Sequence, residues 1–76
     1  MPAILAFLLL WGCIPTTDIR INDDAIYPGY YHYFGDWIEV RSNTPSYVLA
    51  HELAHSCGAN EQQAHKIELL WREYEN

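Results

Sequence analysis

The chain is short of positive charge. It carries four Lys and Arg against ten Asp and Glu, for a formal net charge of −6. Arg20, Arg41, Lys66 and Arg72 are scattered, whereas a nucleic-acid binder needs a clustered basic patch. Nucleic acid is therefore excluded as the expected partner. The acidic balance speaks to solubility and says little about substrate. Cysteine is also scarce. Cys13 and Cys57 are the only two, which is too few for the disulfide framework of small secreted domains, although a single bridge between them stays open. Neither lies in a CxxC pair, which argues against a thiolate zinc site. No apolar run approaches the roughly 20 residues that span a bilayer. No internal repeat or low-complexity segment is present. What the chain does have is apolar and aromatic content: half of its 76 residues are hydrophobic, with six Tyr and three Trp. That excludes a disordered chain and predicts one small domain. Chains of this length bury only about 60% of their unfolded surface and commonly need a metal or disulfide staple.

Residues Ala3 to Trp11 form an unbroken apolar run followed by Gly12 and Cys13. Its length matches the apolar core of an export signal, roughly 7–15 residues, although no Lys or Arg precedes it. Leu10-Trp11-Gly12-Cys13 resembles a bacterial lipobox, in which the cysteine is lipidated and becomes the mature N-terminus. On this reading residues 1–12 are a lipoprotein-like signal segment and residues 13–76 the domain. Cys13 is then the lipidation site, and the protein is exported, as a membrane-anchored lipoprotein or a periplasmic protein. The competing reading packs the run on the core as a structural element, and the protein is then cytoplasmic.

Residues 13–18 read as a short linker. Asp18 to Asn22 alternates as a strand, and Asn22-Asp23-Asp24 and Tyr27-Pro28-Gly29 mark turns. Tyr30–Phe34 and Trp37–Arg41 predict a hairpin across Gly35-Asp36. Thr44-Pro45 predicts a helix start, and Gly58 its stop after Cys57. Asn60 predicts the cap of a second helix over Glu61–Tyr74, with Ala64, Ile67, Trp71 and Tyr74 at helical spacing. The expected fold class is α+β: a small antiparallel sheet or hairpin followed by two helices.

On the first helix lies His51-Glu52-Leu53-Ala54-His55, an HExxH motif. Residues four apart share a helix face, so both imidazoles can meet one ion. Glu52 is offset by one residue, where it reaches a water on that ion rather than the ion itself. Flanking apolar residues Val48, Leu49 and Ala50 fit a packed helix rather than a solvated one carrying a chance motif.

At these residues the chain resembles the zincin metallopeptidases, in two ways. His51 to Glu61 follows the metzincin spacing HExxHxxGxxH, with Gly58 in place and Glu61 where the third His stands. Asn60-Glu61-Gln62-Gln63-Ala64-His65 resembles the gluzincin NExxSD signature, with His65 in place of its final Asp. The only Met is Met1, so no metzincin Met-turn can form, and the gluzincin-like reading is preferred. The resemblance covers about residues 45–70 and implies a minimal zincin-like core holding one Zn²⁺. It implies His51, His55 and Glu61 as ligands, Glu52 as general base, and a peptide or protein as substrate. His65 remains open as an alternative third ligand or a partner that orients a ligand. Glu68 falls on the Glu61–His65 stripe as a solvated or supporting acid. The tyrosines offer a stabiliser for the reaction's tetrahedral intermediate, unranked by sequence, and His32 reads as a surface strand residue. A non-catalytic module stapled by zinc at the cell envelope is the alternative function, and a small acidic lipoprotein with a chance HExxH is a third.

Overall fold

A computed structural model describes residues 3–15 and 17–75, apart from the side chain of Leu5. Met1 and Pro2 of the expected signal segment, Thr16 of the expected linker, and Asn76 lie outside the described residues. The elements run α1 (Ala3–Leu9), β1 (Asp18–Ile21), β2 (Gly29–His32), β3 (Trp37–Val40), α2 (Ser46–Ser56) and α3 (Glu61–Glu75). The fold is α+β.

The expected hairpin forms. β2 and β3 pair antiparallel, Tyr31 opposite Ile38, across a loop in which Asp36 takes a positive φ of 50°. β1 adds to the other edge of β3, parallel to it and in register Ile19 to Ile38, so the sheet order is β1-β3-β2 and the sheet is mixed. Alternation along β3 sends Ile38 and Val40 into the core and leaves Trp37 and Glu39 on the opposite face. That outer face is polar and aromatic. The His32 ring stacks on Trp37 at 3.8 Å between centroids, with the Arg20 guanidinium 4.4 Å from the Trp37 ring centre.

The core is shared by all layers. Phe7 and Leu8 from α1, Ile38 and Val40 from β3, Ala50 and Leu53 from α2, and Trp71 from α3 are buried together. Trp71 joins the three helices: its ring meets Phe7 at 5.2 Å, and its Nε1–H donates to Ser46 Oγ at 3.0 Å. No helix among the described residues is long and apolar enough to cross a membrane.

Cys13 and Cys57 form a disulfide with Cα atoms 5.6 Å apart. The sulfur expected to carry a lipid is thus bonded to the end of α2, and lipidation and this bridge are alternatives for one atom.

α2 begins one residue later than the Thr44-Pro45 signal predicts. Pro45 holds the cap position and supplies no side-chain cap. Thr44 instead staples the loop before it, its Oγ1 donating to Pro28 O at 2.7 Å and accepting the Arg41 N–H at 3.1 Å. The stop is as expected: Gly58 takes φ 95° and its N–H caps His55 O at 2.9 Å. α3 opens on a reciprocal cap, Gln63 N–H to Asn60 Oδ1 at 2.8 Å and Asn60 N–H to Gln63 Oε1 at 2.9 Å.

A candidate metal centre between two helices

His51 and His55 sit one turn apart on α2, and Glu61 is the first residue of α3. The four-residue connector Cys57–Asn60 turns the chain so that Glu61 returns over the two imidazoles. Its carboxylate spans both: Oε1 lies 2.5 Å from His51 Nε2 and Oε2 lies 3.4 Å from His55 Nε2.

The remaining ring nitrogens are also held. His51 Nδ1 is 2.8 Å from Glu68 Oε1, and both side chains are only 16% exposed. An ionised carboxylate can only accept, so Nδ1–H is the donor. His55 Nδ1–H donates to Ala59 O at 2.9 Å. Both imidazoles are therefore oriented with Nε2 toward Glu61, the support that metal-binding histidines use. At 2.5 Å His51 Nε2 and Glu61 Oε1 are in direct hydrogen-bond contact, closer than two ligands each roughly 2.0–2.2 Å from one tetrahedral ion stand, so an ion held by both would need them further apart. The 3.4 Å between His55 Nε2 and Glu61 Oε2 is about the separation of two ligands each roughly 2.0–2.2 Å from one tetrahedral ion. Two imidazoles and a carboxylate are donor types that can hold a metal ion.

Glu52 lies beside this cluster. Donor atoms of His51, Glu52 and His55 are within 4.8 Å of one another. Burial raises the Glu52 pKa above the ordinary carboxylate value; charge on His55 and His51 and the Tyr31 backbone amide pull it down, and Glu61 adds to the rise. The helix that carries Glu52 approaches the sheet closely at Val48, where residue 29 is glycine. A Cβ there would sit 2.7 Å from Val48 Cγ1 and 3.5 Å from Glu52 Cγ. The sequence shows Gly29 only as part of a turn. Its spatial role depends on α2, seventeen or more residues away in sequence.

His65 approaches from the far side of His51. Its Nδ1 lies 3.9 Å from Glu68 Oε1 and its side chain is 61% exposed, against 77% for Glu61; with His51 and Glu68 it makes a second group whose donor atoms lie within 4.8 Å of one another. The acid that supports His51 is thus Glu68, two turns beyond Glu61, the supporting one of the two roles the sequence leaves open for it.

A groove of about 260 Å³ opens on the site, lined by Tyr27, Tyr30, Tyr31, Tyr33, Glu52 and His55 among others. It separates the tyrosines that sequence leaves unranked. Tyr47 instead lies under Arg72, and Tyr74 packs on Phe7 and Trp71. The Tyr31 hydroxyl is committed to Asp36, to which it donates at 2.7 Å. His32 faces Glu39 and Trp37 on the outer sheet surface, away from the cluster.

No protein-family model matches the chain, and comparison with curated proteins and with solved structures returns no match.

Proposed function

We propose that the protein is a zinc-dependent metallohydrolase and, within that class, a metallopeptidase. The observation that carries this reading is the Glu61 carboxylate spanning His51 Nε2 and His55 Nε2 with Glu52 alongside. Zinc, when bound, supplies Lewis acidity that activates water and polarises a carbonyl. His51, His55 and Glu61 would hold it, with Glu68 and the Ala59 carbonyl fixing the two rings. Glu52 takes the proton of the attacking water on its carboxylate and returns it to the leaving amine. The tyrosine-lined groove along β2 receives the peptide.

The HExxH glutamate favours an enzyme over a staple, because a structural zinc site is normally closed by four ligands and has no use for a free carboxylate beside it. The reading of a zinc-stapled binding module at the envelope draws on one observation, that the three ligands join α2 to α3. The Cys13–Cys57 disulfide is a covalent tie at the end of α2 that needs no metal. The same disulfide supports an oxidising compartment and hence an exported protein; a lipid-anchored form would be its disulfide-free form.

The test is zinc content per chain for the wild type, Glu61→Ala and His65→Ala, with peptide hydrolysis for Glu52→Gln. One zinc, lost in Glu61→Ala and kept in His65→Ala, is expected. Glu52→Gln should keep zinc and lose about 10²–10⁴-fold in rate. A Glu52→Gln protein that hydrolyses peptide as fast as wild type would overturn the mechanism.

A further inference from the structure

We infer that the Cys13–Cys57 disulfide is a thiol-exchange site for a dithiol reductant, attacked at Cys57 Sγ, and that opening it weakens metal binding at His51, His55 and Glu61. The second half rests on the metal reading above; the first does not.

Access is built into the surface. A groove of about 460 Å³ runs beside the bridge, lined by both Cys13 and Cys57 together with Gly12, Gly58, Ala59 and Lys66 among others. The residue next to each cysteine is a glycine at positive φ, Gly12 at 74° and Gly58 at 95°. A Cβ built on either would find nothing within 4 Å. The two cysteine residues are unequally exposed. Cys13 is 4% exposed, whereas Cys57 is exposed at the end of α2.

Chemistry gives the same direction. Attack on Cys57 Sγ forms a mixed disulfide there and expels Cys13 as the thiolate. Expelling Cys57 instead would place negative charge at the negative end of the α2 dipole. Lys66 lines the groove and favours an anion leaving into it. Once protonated, Cys13 has an acceptor waiting, Leu53 O at 3.7 Å from its sulfur. The second thiol of the reductant then displaces Cys57. The protein pair gains two electrons and two protons overall, and the dithiol leaves as its own disulfide.

The bridge is coupled to the metal cluster through the connector. Cys57 is the second of the five residues between ligands His55 and Glu61, and Ala59 in that stretch accepts the His55 Nδ1–H at 2.9 Å. Ala59 N–H in turn donates to Ala54 O at 3.1 Å. Opening the bridge removes the covalent tie on the segment that orients one ligand and positions another, leaving it held by the Gly58 and Ala59 backbone hydrogen bonds. Loss of such supporting contacts typically costs about 10–100-fold in metal affinity.

The experiment uses the full chain in oxidised form. Glutathione treatment followed by peptide mapping should place the adduct on Cys57; an adduct on Cys13, or none without denaturant, overturns the exchange site. Zinc affinity is then measured by chelator competition on the oxidised chain, the phosphine-reduced chain and the Cys13→Ala/Cys57→Ala variant. A fall of about tenfold or more in the last two, with the helical circular-dichroism signal retained, is expected. Unchanged affinity overturns the coupling. So does collapse of the helical signal, which would make the bridge a staple of the whole fold. If the oxidised chain itself binds no zinc, the metallohydrolase reading fails and the coupling with it, while the mapping still decides the exchange site.

Discussion

The Glu68 carboxylate lies 2.8 Å from His51 Nδ1, with both side chains 16% exposed. Glu68 belongs to α3 and His51 to α2, so this pair fixes the ring's tautomer and locks the two helices at the metal cluster. In a partly buried setting the pair resists solvent screening better than a surface ion pair does. Glu68→Ala is expected to lower zinc affinity about 10–100-fold, measured by competition with a chromophoric chelator. His65→Ala, which removes only a solvent-exposed neighbour of Glu68, should change it by about twofold or less, in keeping with the small effect of exposed pairs.

Gly29 sets how closely α2 approaches β2. Gly29→Ala brings a Cβ to 2.7 Å from Val48 Cγ1, an overpacking that typically costs about 1–3 kcal/mol. Denaturant unfolding should show that loss. Adding Val48→Ala removes the clashing methyl groups and should recover part of it, which a merely conformational role for Gly29 would not allow.

Glu52 is held in a state that costs the fold something. Its folded pKa is raised by burial above the ordinary 4.5. Between those two values the native chain retains a proton that the unfolded chain has released. Stability therefore falls as pH rises through that window, and above it the full cost persists. In the metal-free protein Glu52→Gln should melt higher than wild type near pH 7, with the difference vanishing by about pH 3.5, where both states hold the proton. Thermal scans at the two pH values check this. Equal melting temperatures near pH 7 would mean that Glu52 carries no such cost.

Trp71 is the largest aromatic joint of the core, 3% exposed, with its indole N–H bonded to Ser46 Oγ. Trp71→Ala should cost about 3–5 kcal/mol, a large share of the stability of a 76-residue chain. Trp71→Phe keeps ring packing on Phe7 and should cost less, leaving Ser46 Oγ to its contact with Glu75 at 2.5 Å. Urea midpoints of the two variants give the comparison.

Local signals in the sequence determined a good deal. Period-two alternation at Asp18–Asn22 and Trp37–Arg41, the Gly35-Asp36 turn, the Gly58 stop and the Asn60 cap are each decided by a few neighbouring residues, and each appears in place, the two strands one residue shorter at Ile21 and Val40. The HExxH spacing put His51 and His55 on one helix face for the same reason: helical periodicity is a local property. The tertiary structure alone decided the rest, because those features rest on residues far apart along the chain. It set β1 parallel to β3, and it brought Glu68 to His51 Nδ1 across seventeen residues. It made Gly29 the point of contact with α2 and sent Tyr31, rather than Tyr47 or Tyr74, to the groove beside Glu52. It also joined Cys13 to Cys57 across forty-four. No pattern in a single segment encodes such meetings. They follow from burying Phe7, Leu8, Ile38, Leu53 and Trp71 in one core, which fixes where every polar group on the same elements must point.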